Sequence, residues 1–421
     1  MLIKEKTANY STGFFFLILF CIFRPLTLIN ANIKIGGLNI LEIFAIIISY
    51  ILLFCIALNF RKIKFDFISV SIIWFCSYCY ISILWGSHVR SVTQVTLPFA
   101  LFFAIRVMVN EPKQIKLLVT IVIIAYCLPL VGSLYDITKG ESVYMVESIT
   151  EIARYSGMFE MLKGLAYSMF FISVYFYIQV IINQLKNRKI KWALLFLLVM
   201  SFLCLYKSYV RTAYLGVAFF WFIALYGYNK RYFYIILISS LIIGMLYIGI
   251  LHQIFFKTQQ FDANTASSGR MLLWGHNIKI FLRSNFDRKL LGYGFGGGST
   301  GVFGSENQLW HTHNDYLELL VRAGGIGLLV YLLIHFILLK DVYRSIVAKS
   351  TKYFYYGIIF SITIMNFFSG MLLYQVTMSQ QFWMIIGFFY VFRDFNATSS
   401  INLKNDNLTK SAHERTSGIY T

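Results

Sequence analysis

Apolar blocks, most of them near twenty residues, alternate along the chain with short polar connections, and twenty residues is the length a helix needs to cross hydrocarbon. The blocks are Gly13–Leu28, Gly37–Phe60, Phe65–Trp85, Val92–Val109, Ile115–Leu134, Met158–Ile182, Trp192–Tyr206, Thr212–Tyr228, Tyr232–Leu251, Leu317–Leu339, Tyr353–Leu373 and Phe382–Phe392. They predict an all-α, polytopic integral membrane protein of about 12 transmembrane helices; a barrel would show short alternating segments instead. No small-residue cleavage site follows the first block, so it reads as an uncleaved span. The pattern divides the chain into an N-terminal bundle (1–134), a central transmembrane region with a short polar loop (135–251), one long loop (252–316), C-terminal helices (317–392) and a polar tail (393–421). That tail is rich in Ser, Thr and Asn and is expected to be disordered.

Charge gives the blocks a direction. Arg61–Lys64, Lys113 with Lys116, Lys186–Lys191, Lys230–Arg231 and Lys340–Lys352 all fall on alternate connections. With the two ends these hold roughly twenty basic residues, against about six on the short connections of the other face. By the positive-inside rule both termini are cytoplasmic, and 135–157, the Lys207–Arg211 turn and 252–316 face outward. The composition agrees, with 58% hydrophobic and only 13% charged residues and a mean hydropathy of +0.68. A net charge of +19 raises the question of nucleic acid. The basic residues are topogenic signals between spans, with no basic–aromatic surface or helix-turn-helix, so nucleic acid is not the partner; the lipid bilayer is. The 6 cysteines fall in apolar blocks and imply no disulfide framework.

Four outer features carry candidate chemistry. Lys207 and Arg211, set close to the hydrocarbon boundary, are either interface anchors or an anion clamp. Arg270 opens a segment in which Met271, Trp274, Ile278, Phe281 and Leu282 share one helical face. That predicts a short interfacial helix, with Arg270 either snorkelling or gripping phosphate through its guanidinium fork. Gly292–Gly298 superficially matches a dinucleotide loop but follows no βαβ strand, so it reads as a bend that lets backbone approach a ligand or the membrane surface. Finally, Asp315 and Glu318 have capping-box spacing, which predicts a helix starting near Tyr316 and continuing into the membrane. His313 and Asn314 would stand just outside its first turn, where free N–H groups favour an anion. A histidine there suits transfer chemistry on a phosphate-linked lipid, against the plainer reading of a loop histidine bonded to backbone. The His311/His313 pair lacks a further nearby ligand, so no metal is expected.

Val210–Gly216, Ser268–Arg270 with Trp274, Leu291–Gly294, and His313–Leu317 with Gly324 and Gly327 resemble, in order, spacing and membrane context, the O-antigen ligase and polymerase family over roughly residues 195 to 345. The resemblance implies an integral glycosyltransferase of the bacterial inner membrane, its active site facing the periplasm and the long loop periplasmic. It implies an undecaprenyl-diphosphate-linked glycan as donor, and as acceptor either a lipid-linked repeat unit (polymerase) or lipid A-core (ligase). The SSGR…W and LGYGFGG features look more like polymerases. By resemblance Arg211 and Arg270 bind the donor diphosphate, His313 activates the acceptor hydroxyl, and neither metal nor cofactor takes part. Lys207 would add positive charge, Asn314 would orient His313, and Arg154 is a further candidate; a chain-length regulator is a partner the resemblance allows. Elementary chemistry agrees. Guanidinium groups and a helix N-terminus stabilise a departing diphosphate, and an imidazole titrates near working pH. The reaction would invert the anomeric centre. The competing class is a transporter or flippase of lipid-linked sugars, which would favour ionisable residues within spans; Arg24, Arg106 and Lys163 are the main ones.

Overall fold

The computed structural model describes residues 11–29, 34–35, 38–141, 143–146, 153–183, 185–246, 270–295, 312–370, 373 and 375–417. Among the described residues the chain is all-α with two small hairpins. In order come α1 (Thr12–Leu26), the hairpin β1–β2 (Lys34–Ile35, Leu38–Asn39), α2 (Ile40–Leu58), α3 (Phe67–Ile81), α4 (Val89–Thr96), α5 (Phe99–Met108) and α6 (Pro112–Lys139). The hairpin β3–β4 (Val143–Val146, Ala153–Tyr155) precedes α7 (Leu162–Tyr177), α8 (Arg188–Ser208), α9 (Arg211–Tyr228) and α10 (Lys230–Leu246). Then follow α11 (Arg270–Arg283), α12 (Phe286–Leu291), α13 (Asp315–Arg322), α14 (Gly324–Arg344), α15 (Lys349–Ser369) and α16 (Val376–Ser417). Both strand pairs are antiparallel.

Large apolar side chains lie on the outside of the bundle as well as within it. Phe54, Leu58, Trp74, Ile124, Leu329 and Phe336 are all more than half exposed. Such an apolar exterior is the signature of helices that meet lipid rather than water. Among the described residues, six helical stretches are long and apolar enough to cross a membrane: Ile40–Leu58, Phe67–Trp85, Pro112–Lys139, Leu162–Ile182, Arg188–Ser208 and Gly324–Arg344. The α4–α5 pair is a seventh if its two halves form one span. α7 is apolar on every face and buried on nearly every face, so it occupies the centre.

The structure corrects several expectations. The span expected as Val92–Val109 is broken, its halves α4 and α5 bent by 46° at Leu97–Pro98, because proline cannot donate to the helical ladder and its ring crowds the preceding turn. Leu317–Leu339 is likewise two helices, α13 and α14, parted at Ala323 and Gly324. Gly324 is left-handed (φ +67°), and a Cβ there would stand 2.1 Å from the Leu290 carbonyl oxygen, a position only glycine can fill. The glycine-rich segment accordingly approaches backbone of its own chain as far as it is described. Tyr293 N–H donates to Val321 O (3.0 Å), Gly294 N–H to Arg322 O (2.8 Å), and Tyr78 Oη to both Leu291 O and Ala323 O. Gly296–Gly298 lie outside the described residues. α6 runs on to Lys139, past the expected boundary at Leu134. Beyond Arg393, where disorder was expected, α16 continues as helix to Ser417.

Two arrangements position the site. α9 and α15 pack antiparallel along their length, close enough that a Cβ on Gly216 would meet the Met365 side chain at 2.3 Å and one on Gly227 would meet Tyr353 at 2.1 Å. Small residues at a helix interface permit this approach, and it sets Arg211, at the start of α9, at the same end as Ser369, at the close of α15. At the other end, Asp66 binds Arg106 through both oxygens (2.9 and 3.0 Å), Arg393 reaches Asp66 (3.1 Å) and Asp341 (3.2 Å), and Lys64 pairs with Asp394 (2.8 Å). This network ties the ends of α3, α5, α14 and α16 together and satisfies Arg106 within the fold.

Candidate active site at the end of helix α15

The segment before α13 is built around Thr312. Glu318 Oε2 accepts from the Thr312 N–H (3.0 Å) and hydroxyl (2.9 Å), and the same hydroxyl stands 2.9 Å from Asn314 O. Trp274 Nε1–H of α11 donates to Thr312 O (2.8 Å), so the helix that begins with Arg270 is fastened to the histidine loop. Between these anchors His313 adopts φ +52°, a left-handed conformation that a non-glycine residue holds only when its surroundings insist. The cap of α13 is Asn314, whose Oδ1 accepts from Leu317 N–H (3.0 Å), one residue earlier than the expected capping box. Glu318 is therefore not a cap partner. It is 1% exposed and pairs with Arg322 at 2.5 Å.

His313 Nδ1 lies 3.3 Å from Lys163 Nζ, and Lys163 also donates to Ser369 O (3.4 Å). Arg270 Nη1 donates to Phe368 O. Tyr167 Oη donates to Ser369 Oγ and stands 3.3 Å from Thr212 Oγ1, the residue after Arg211. Gly370 is left-handed (φ +59°), and a Cβ there would lie 3.4 Å from the His313 backbone and 3.2 Å from Asp315 Oδ1. Arg270, Lys163 and Tyr167 all reach the last residues of α15, whose outgoing carbonyls attract cations. Arg154, on β4, donates to Tyr209 O (3.1 Å) in the α8–α9 turn and to Ser208 O (3.5 Å). Burial holds the Arg270 guanidinium below its ordinary range, with Tyr167 opposing that shift and Arg154 adding repulsion. Lys163 feels Arg270 and, with opposite sign, Asp315.

Thus His313, Arg270 and the start of α9 at Arg211 are joined through Phe368–Gly370, and Arg154 approaches from the adjacent turn. Lys207 is set apart, its Nζ 6.0 Å from the Tyr155 ring. Asn314 caps a helix, and Lys163 Nζ meets the His313 ring. His311 lies outside the described residues. Sequence reading missed Lys163, Tyr167 and Ser369 as site residues. Lys163 had a signal, a lysine near the start of an apolar span; Tyr167 and Ser369 had none. Lys163, Arg211 and Arg270 each stand in the first turn of their helix. The helix dipole disfavours a cation at that end and favours an anion, so cations and helix termini together make a receptor for a negatively charged group.

The fold and this end of it define a helical membrane protein with a cationic, histidine-bearing site at one end of its helices. Residues 195–332, about a third of the chain, match the family model described as O-Antigen ligase. The match supports a function of the O-antigen ligase or polymerase type, with lipid-linked glycans as the substrate class. No curated protein matches the chain. The matched stretch holds Lys207, Arg211, Arg270, His313 and Asn314, whereas Arg154, Lys163, Tyr167 and Ser369 come from outside it.

Proposed function

We propose that the protein polymerises undecaprenyl-diphosphate-linked repeat units into O-antigen or a related surface polysaccharide, by metal-independent, inverting glycosyl transfer. The observation that carries this reading is the convergence of Arg270, His313 and the Arg211 end of α9 on the last residues of α15. Arg211 and Arg270 hold the donor diphosphate, and Arg154 adds field to the same region. As the bond to the diphosphate breaks, charge grows on its oxygen, and fixed guanidinium groups and helix N-termini stabilise that charge more than they stabilise the ground state. His313 takes the acceptor proton through Nε2, and attack from the face opposite the leaving group inverts the anomeric centre. On the reading of about 12 spans with both termini cytoplasmic, this end lies in the periplasm, at the outer face of the inner membrane, where lipid-linked repeats are assembled. α11 supports a place at a membrane interface, since Met271, Leu272 and Leu282 are exposed while Asn277 is buried, as in a helix whose apolar side meets lipid.

The test is the lipopolysaccharide of a deletion strain. A polymerase leaves lipid A-core carrying a single repeat unit when removed, and plasmid-borne protein restores the ladder. Long chains stranded on undecaprenyl diphosphate would instead make it a ligase. An unchanged lipopolysaccharide and capsule profile would refute both.

A further inference from the structure

A base at His313 Nε2 needs the ring proton on Nδ1, and Nδ1–H in turn needs an acceptor. Lys163 Nζ stands 3.3 Å from Nδ1. A lysine amine accepts a hydrogen bond only when neutral; as an ammonium it can only donate. We propose that Lys163 sets the tautomer of His313 and so decides whether the imidazole is a base, an inference that rests on the glycosyl transfer argued above. With Lys163 as ammonium, Nδ1 accepts, the ring proton lies on Nε2, and the acceptor hydroxyl meets a donor. With Lys163 neutral, its lone pair takes Nδ1–H, its own N–H still reaches Ser369 O (3.4 Å), and the lone pair of the ring falls on Nε2, the nitrogen that then acts as base.

The proton then moves in step with the chemistry. The acceptor O–H proton passes to Nε2, and the Nδ1 proton passes to Lys163. The acceptor oxygen bonds to the anomeric carbon, and the carbon–oxygen bond to the diphosphate breaks with its electron pair going to the diphosphate. One positive charge appears at Lys163 as one negative charge appears on the leaving group. Among the described residues, the charged and titratable groups around Lys163 are Arg270 of α11, Asp315 of α13, Tyr167 one turn along α7 and His313 itself, with Arg211 opening the adjacent α9. Arg270 disfavours the ammonium and Asp315 favours it, so these two charges tune how readily Lys163 takes the proton. Lys163 is thus a positioning residue, not a group that touches substrate.

The experiment is ¹⁵N-histidine NMR of the full chain in lipid nanodiscs, with the signal among the 7 histidines assigned by His313→Asn. As pH rises the wild-type ring should pass from the Nε2–H to the Nδ1–H form. Lys163→Arg, always charged, should hold Nε2–H throughout, and Lys163→Gln, whose amide oxygen accepts, should hold Nδ1–H. Turnover is read as undecaprenyl diphosphate released from lipid-linked glycans extracted from the deletion strain. Lys163→Arg should be roughly 100-fold slower or worse, the scale of a lost general base, and Lys163→Gln should lose the rise of rate with pH. An unchanged tautomer across all three proteins overturns the inference, as does an Arg variant with wild-type rate and pH profile. A wild type that shows the switch but releases no undecaprenyl diphosphate refutes glycosyl transfer while supporting the pairing.

Discussion

Glu318 is the residue whose loss should be felt furthest from its own position. Its carboxylate is 1% exposed and holds two things at once, Thr312 through Oε2 at 3.0 and 2.9 Å and Arg322 through Oε1 at 2.5 Å. A hydrogen bond to a charged group contributes about 1.5–3 kcal/mol. Removing one partner of a buried ion pair costs about 3–5 kcal/mol, because the other is left charged and dry. Arg322 is 6% exposed, so that term applies with little screening. The two effects share one carboxylate and do not add in full, which puts Glu318→Ala near 5 kcal/mol, comparable with the lower end of total domain stability. Glu318→Gln keeps an oxygen for Thr312 but turns no charge toward Arg322, so about half that loss is expected. Glu318→Ala with Arg322→Met should recover part of it, with a coupling above about 1 kcal/mol. The assay is thermal unfolding in nanodiscs, where the Ala variant should melt several degrees lower, beside the polysaccharide ladder, which should shorten because His313 is positioned through Thr312. Wild-type melting and a full ladder in Glu318→Ala, or strictly additive single substitutions, would refute the reasoning.

Other expectations follow from the same geometry. His313→Ala should abolish polymer while the protein remains in the membrane at normal abundance, checked by immunoblot beside the lipopolysaccharide gel. Arg270→Lys keeps the charge but not the fork, so it should cost roughly 10-fold or more in chain extension; near-normal chains would make Arg270 a surface anchor. Gly370→Ala forces a side chain into a left-handed position beside Asp315 Oδ1 and the His313 backbone. It should cost about 1–2 kcal/mol in stability and lower activity with it, measured by melting and turnover together. Activity should persist in chelator, and loss restored by added zinc would revive the His311/His313 pair as a metal site.

How much of this was legible follows from what each signal depends on. Span positions rest on local hydropathy, and the predicted blocks differ from the helices mostly by a few residues at each end. Arg270 as the first residue of an amphipathic helix also came from local periodicity, and it holds. The breaks did not come through, for two different reasons. Pro98 was visible but sits in an apolar run that hides a bend. Gly324 is special only because Leu290 and Gly292 approach it from another part of the chain, and nothing local announces that. The family resemblance, read over roughly residues 195 to 345, pointed to Arg211, Arg270 and His313, yet it stops before α15, whose last residues receive Arg270 directly and His313 and the Arg211 end of α9 through Lys163 and Tyr167. Lys163 and Ser369 are 206 positions apart and join only through the packing of α7, α9 and α15.

The two ends of the bundle make opposite uses of charge. At the α3–α5–α14–α16 end, Arg106, Arg393 and Lys64 are met by Asp66, Asp341 and Asp394 at 3.2 Å or less, and burial alone, which would raise the Asp66 carboxyl, is outweighed by Arg106, Ser69 and Arg393. Pairing of that kind fixes helices and leaves little field for anything else. At the α15 end the interactions between cations are repulsive, Arg154 acting on Arg270 and Arg270 on Lys163, with Asp315 as the opposing charge on Lys163. Much of what holds them there is carbonyl oxygen, from Phe368, Ser369, Ser208 and Tyr209. A carbonyl carries a dipole and not a charge, so it orients a guanidinium without neutralising it. Among the described residues, the field of Arg154, Arg270 and Lys163 and of the first turns of α7, α9 and α11 is therefore oriented rather than cancelled, and can act on an incoming anion. A lipid diphosphate brings that anion with its charge near the membrane surface. If so, titrating nanodisc-embedded protein with inorganic pyrophosphate should raise its melting temperature, and Arg270→Gln or Arg211→Gln should weaken that response, whereas Lys64→Gln at the neutralised end should leave it unchanged. Equal weakening by all three would mean that bulk positive charge, not this site, binds the anion.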